Sequence, residues 1–150
     1  MKSIVLAFAI ACFAPAALAG NSELSLAALV GVHSPHLTAA EKALLEEYLE
    51  GEAKGGGAKF AVTASAVTCR MSDVDIANHS CEIDFGAKKV TLAARKAHEL
   101  YATLIENGVP SDGAAGSIYE ALADLDCTIV PAEIKDRSGA GASCKFKPSK

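Results

Sequence analysis

His79-Ser80-Cys81-Glu82-Ile83-Asp84-Phe85 alternates without a break. Cys81, Ile83 and Phe85 fall on one side and Ser80, Glu82 and Asp84 on the other, the period of two that a half-buried antiparallel strand imposes. Gly86 ends the run, and Val90 and Leu92 suggest a short third strand beyond it. Upstream, Val67, Cys69 and Met71 share one face of a second strand with Thr68 and Arg70 on the other, and Phe60 and Val62 mark its earlier part as buried or bulged. The two runs predict a hairpin with Cys69 and Cys81 on its inward face.

The pattern returns nearer the C-terminus. Tyr119, Ala121, Ala123, Leu125, Cys127 and Ile129 alternate with Glu120, Asp124, Asp126 and Thr128, then Pro131 stops the run and Ala142-Ser143-Cys144-Lys145-Phe146-Lys147 alternates again. This segment reads as a strand, although Ser117 to Glu120 also fits a capping box. Four cysteines permit three pairings. The local one, Cys69 with Cys81 and Cys127 with Cys144, is favoured because facing side chains on adjacent antiparallel strands come within disulfide reach. A redox pair or a zinc site is the alternative, but there is no Cys-x-x-Cys and no closely spaced zinc knuckle.

Residues 1–19 carry Lys2, an apolar stretch from Ile4 to Phe13, Pro15 and the small-residue triplet Ala17-Leu18-Ala19, the layout of an export signal cleaved before Gly20. A lipoprotein signal acylated at Cys12 lacks the usual Leu three residues earlier. The apolar stretch is too interrupted to anchor the chain in a membrane, so the expected product is exported, to the bacterial periplasm or the medium, where disulfides persist. Removing the signal leaves 131 residues and takes the formal charge from −4 to −5. The basic residues are scattered, which argues against nucleic acid and anionic membranes as partners. With 51% hydrophobic residues, many of them alanine, and no Trp, the core is built of modest side chains that disulfides usefully supplement.

Between residues 20 and 37 the sequence reads as irregular. Thr38-Ala39-Ala40-Glu41 is a capping box, followed by a stripe of Leu44, Leu45, Tyr48 and Leu49 that Gly51 ends. Residues 51–58 read as a glycine-rich linker. A second helix spans about Leu92 to Asn107 with Ala93, Ala97, Leu100, Tyr101, Leu104 and Ile105 inward; Gly108, Val109 and Pro110 are a strong stop signal. The fold expected is therefore α+β: two disulfide-stapled β-hairpins in a small antiparallel sheet, covered on one face by two helices, with a degenerate α-β-β repeat suggested by Ala39-Ala40-x-Lys42-Ala43 and Ala93-Ala94-x-Lys96-Ala97. In the order of its elements and the placement of its cysteines, the layout resembles the β-lactamase-inhibitory-protein family of small secreted inhibitors, whose helix-start motif is absent here.

No constellation carries obvious chemistry, so no catalytic residue and no cofactor is assigned. His33-Ser34-Pro35-His36 places two imidazoles three apart, a weak metal candidate that lacks third and fourth ligands. Asp73-Val74-Asp75 with Asn78 offers oxygen ligands but neither the Gly nor the distal Glu of a calcium loop, and an Asp- and Asn-rich turn needs no ion. His79 and His98 show no partner. The expectation is a non-enzymatic, exported protein-binding or inhibitor-like module whose partner contacts lie on the loops Met71–Asn78, with Asp73, Asp75 and Asn78, and Pro131–Gly141, with Lys135 and Arg137. A small-molecule or metal carrier, or a structural or stress protein without a ligand, is the alternative. An exposed apolar patch on the free sheet face points to a partner, an enclosed pocket to a carrier, and a histidine bonded to a serine or two carboxylates to catalysis.

Overall fold

The computed structural model describes residues 22–52, 55–113, 118–134 and 141–148. The proposed signal, together with Lys135 and Arg137, lies outside them. The chain runs α1 (Ser22–Gly31), α2 (Ala39–Leu49), β1 (Phe60–Ser72), a 3-10 turn (Ile76–Asn78), β2 (Ser80–Asp84), β3 (Lys89–Ala93), α3 (Ala94–Glu106), β4 (Ser111–Asp112), β5 (Ile118–Ile129), α4 (Pro131–Ile134) and β6 (Ala142–Pro148).

All pairings in the six-stranded sheet are antiparallel, in the order β3-β2-β1-β5, with β4 and β6 both on the far edge of β5. Cys69 stands opposite Cys81 and Cys127 opposite Cys144, and both pairs are bridged as expected, with Cα atoms 4.0 Å apart. The two stapled hairpins join through β1 and β5, which form the centre of the sheet. Residues 118–124 are strand throughout.

The alternation of β1 changes phase along its length. Phe60, Val62 and Ala64 are buried, then Val67, Cys69 and Met71. A bulge resolves the mismatch: Ala64 pairs with Leu125 and Val67 with Ala123, so Ser65 and Ala66 together face Asp124. One extra residue keeps both halves of the strand pointing into the same core.

Two helix ends follow their sequence signals. The Thr38 hydroxyl accepts from Glu41 N, and Thr38 N donates to Glu41 Oε2 at 2.8 Å, completing the capping box. At the end of α3, Gly108 adopts φ 86°, its N–H donates to Ile105 O, and Val109 N donates to Leu104 O, a Schellman motif with Val109 buried behind it.

The segment 20–37 corrects the expectation of irregular chain. Its residues 22–31 form α1, with Leu24, Leu26, Ala27, Ala28, Val30 and Gly31 all buried. This helix packs on β1, β5 and β6 and also touches α2 and α3. Because neighbours surround it, it carries no polar stripe for a periodicity to reveal. The two helices that lie on the sheet are α1 and α3, whereas α2 packs on α1 as an outer layer and buries Leu45 fully. The inward residues of α3 are Ala97, Leu100, Thr103 and Leu104; Ile105 is 38% exposed and Ala93 stands outside the helix. The loop after Pro131 begins as the short helix α4.

Candidate functional site

The uncovered face of the sheet is polar. Arg70 Nε donates to Glu120 Oε1 at 3.1 Å, Lys89 Nζ donates to Glu82 at 2.8 Å with Asp84 beside it, and Thr68, Ser80 and Thr91 lie on the same face. Among the described residues the one exposed large hydrophobic on this face is Ile118 at the start of β5, with the part-buried Leu122 opposite Thr68.

Exposed apolar residues gather instead at the end of the sheet where β1 turns into β2. Val74 is 79% exposed and Ile76 50%, and the pairing of β1 with β5 places Ile118 opposite Ser72 and Tyr119 opposite Met71 at the same end. Tyr119 lies against Gly113, where an added Cβ would stand 3.5 Å from its ring. Asp73, Asp75 and Asp112 are exposed around these residues.

The loop that carries Val74 and Ile76 is ordered by its own hydrogen bonds. Val74 N donates to the Ser72 hydroxyl, Asp75 Oδ1 accepts from Ala77 N at 2.9 Å, and Asn78 and His79 N–H groups close back on Asp75 O and Ile76 O. Asp75 thus caps the 3-10 turn, a structural role for a carboxylate that the sequence alone offers as an ion ligand. Asp73 and Asn78 are exposed beside it.

The base of the loop is tied twice. The Cys69–Cys81 bridge crosses the two strands just below it. Above the bridge, His79 Nε2 lies 2.8 Å from Ser72 O; a carbonyl only accepts, so Nε2 carries the proton. The other ring nitrogen, Nδ1, is buried without a partner, and the ring stacks on His98 with centroids 5.2 Å apart. The strand-helix connection β3–α3 brings these two histidines together, and no sequence spacing announces it.

The other two histidines are kept apart. His36 Nε2 lies 3.3 Å from Phe85 O, while His33 faces a separate cleft between the end of α1, α2 and the start of α3. That cleft has a volume of about 350 Å³. Leu29, Val32, Leu49 and Leu92 line it together with His33 and the charged Glu46, Lys96 and Glu99. His33 is held below the ordinary imidazole pKa, first by burial and then by the charges of Lys96, Lys42 and Lys88, against a smaller upward pull from Glu46.

Among the described residues no three His, Cys, Asp or Glu side chains converge as a metal ion requires, and no histidine ring bonds a serine hydroxyl or a carboxylate. No described helix is long and apolar enough to cross a membrane. Comparison with models of protein families, with curated proteins and with solved structures finds no match to this chain.

Proposed function

We propose that this chain is an exported, non-enzymatic binding module that recognises a protein partner through the loop Met71–Asn78 and the neighbouring start of β5. The observation that carries this reading is the exposure of Val74 and Ile76, 79% and 50%, on a loop whose backbone is internally hydrogen-bonded and stapled at its base. Single exposed apolar residues are ordinary. Four of them at one end of the molecule, two on an ordered loop, supply the apolar centre that protein interfaces use, and the order already present lowers the entropy cost of binding. The exposed Asp73, Asp75 and Asp112 around them suit a partner whose apolar pocket is rimmed by Lys or Arg. Two disulfides support the exported location.

The test is differential capture from the native compartment with three baits: the natural chain, Val74→Asp with Ile76→Asp, and Thr91→Asp on the polar sheet face as control. A partner retained by the first and third baits and lost from the second supports the reading. An identical set of retained proteins on all three baits sinks it, and because both altered loop residues are exposed, circular dichroism of the variants should match the natural chain.

A further inference from the structure

The two edges of the sheet are built differently. On one side β6 carries Lys145 and Lys147 and ends at Pro148, the charges and the proline that discourage pairing with a further strand. On the other, β3 has β2 as its one neighbour among the described residues, runs in an unbroken register without bulge or proline, and bears a single charge. That charge is already engaged: Lys89 Nζ lies 2.8 Å from Glu82 Oε1 and 3.7 Å from Asp84 Oδ2, drawn back over its own sheet.

Hydrogen bonds at both ends of the β2–β3 hairpin set which backbone groups face outward. Phe85 N donates to Lys88 O at 2.9 Å, and Ala94 N donates to His79 O at 2.9 Å. In an antiparallel pair the backbone groups turn to the partner at every second residue, so Val90 and Leu92 turn theirs to β2, and Lys89, Thr91 and Ala93 turn theirs away from the sheet. These three residues are exposed, and among the described residues no turn or loop bond takes up their backbone groups. Antiparallel pairing of this edge with itself leaves none of those groups unmatched. With Thr91 facing Thr91 of a second copy, Lys89 stands opposite Ala93 and Ala93 opposite Lys89, and the two lysines stay off each other.

The same register pairs Val90 with Leu92 in both directions on the inner face. Val90 is half-buried and Leu92 lines the cleft beside His33, so the cleft lies beside this edge. Its Leu29 and Val32 are half-buried and Leu49 is 42% exposed, aliphatic surface that a neighbour would remove from water. A two-fold axis normal to the sheet brings the helical layers of both copies to the same side, where that surface is covered. We propose that this chain self-associates as a two-fold dimer through β3, the sheets of the two copies running on as one in the register centred on Thr91. Edge and cleft together are small, so the dimer forms at high concentration and dissociates on dilution.

The test is sedimentation velocity of the full chain between about 1 μM and about 1 mM, with amide exchange followed by NMR at both ends of the series. The chain should pass from monomer to dimer, and the amides of Lys89, Thr91 and Ala93 should become protected while those of Val90 and Leu92, already bonded to β2, stay unchanged. Thr91→Pro removes an outward N–H and no bond of the β2–β3 ladder, and Thr91→Asp sets like charges opposite each other at the axis. Each should weaken self-association by about tenfold or more. The dimer does not depend on the recognition loop, so Val74→Asp with Ile76→Asp should leave it unchanged. A monomer at every concentration overturns the proposal and leaves the edge to an extended segment of another protein. A dimer that survives both changes at Thr91, or one in which the three outward amides exchange freely, puts the contact elsewhere and overturns it as well.

Discussion

Replacing Gly31 by alanine tests how closely α1 and α2 are fitted against the sheet. Gly31 is the last residue of α1, and a Cβ placed there meets Leu45 Cδ1 at 2.5 Å, Val62 Cγ2 at 2.9 Å and Leu37 Cδ1 at 3.4 Å. Its backbone is outside the left-handed region, so the cost of a side chain is steric alone. Leu45 and Val62 are both 0% exposed and have no open space in which to retreat. Forcing a methyl group into a packed interior costs typically 1–3 kcal/mol. Against a total stability of about 5–15 kcal/mol, that loss is easily resolved by urea denaturation. A double-mutant cycle identifies the mechanism. Leu45→Ala alone should cost about 2–5 kcal/mol. In the Gly31→Ala background it should cost less, by about 0.5–3 kcal/mol, because the new methyl fills space that the leucine vacates. Strict additivity of the two changes, or a neutral Gly31→Ala, would show that α1 does not approach β1 and α2 as described.

Three further outcomes are expected. Cys69→Ala with Cys81→Ala, and Cys127→Ala with Cys144→Ala, should each lower stability by about 3 kcal/mol, and nearly equally, because the separations of 12 and 17 residues enter only as logarithms; a loss below about 1 kcal/mol for either pair in denaturant melts refutes the assignment of stability to the bridges. Ala94 is a non-glycine residue at φ 51°, so Ala94→Gly should raise stability by up to about 1 kcal/mol in the same assay, the relieved left-handed strain exceeding the entropy cost of glycine. Since the folded-state pKa of His33 is lowered, the unfolded chain binds the extra proton first; its contribution to stability is complete above about 6.5 and is lost as pH falls through the folded value. His33→Gln should therefore flatten the acid side of the stability profile, and an unchanged profile contradicts the burial of that ring.

Those parts of the fold whose determinants are local were readable from the residues. The capping box at Thr38, the Gly108-Val109-Pro110 stop and the alternation of Ser80–Asp84 act within a few residues of chain, and each appears in the structure. Even the bulge in β1 leaves its mark, as a phase change between Ala64 and Val67. Helix α1 was not readable because its surroundings, rather than its own pattern, bury Leu24, Leu26, Ala27, Ala28 and Val30 on several sides. The site shows the same division. The sequence offers Asp75 for its oxygens, but its Oδ1 serves the turn, and the exposed apolar groups beside it are Val74 and Ile76. That oddity was visible in the sequence. The contact of His79 with His98, and the placing of Lys96 beside His33, depend on how distant elements pack and leave no spacing to read.

The placement of the two bridges links stability to recognition. Cys69 lies near the C-terminal end of β1 and Cys127 near the C-terminal end of β5, and because these strands run antiparallel the bridges sit at opposite ends of the central pair. One bridge lies under the exposed loop, close to the His79 tie to Ser72; the other lies where β6 packs against α1. A core in which Ala27, Ala28, Ala64, Ala97, Ala121, Ala123 and Ala142 are buried gains little from each residue it hides. Strand ends and loops in such a core are the first places to open. The bridges close both ends of the central pair, and at one end that restraint also fixes the base of the loop presenting Val74 and Ile76. The same covalent bond that compensates for a light core therefore keeps the proposed recognition surface in one conformation.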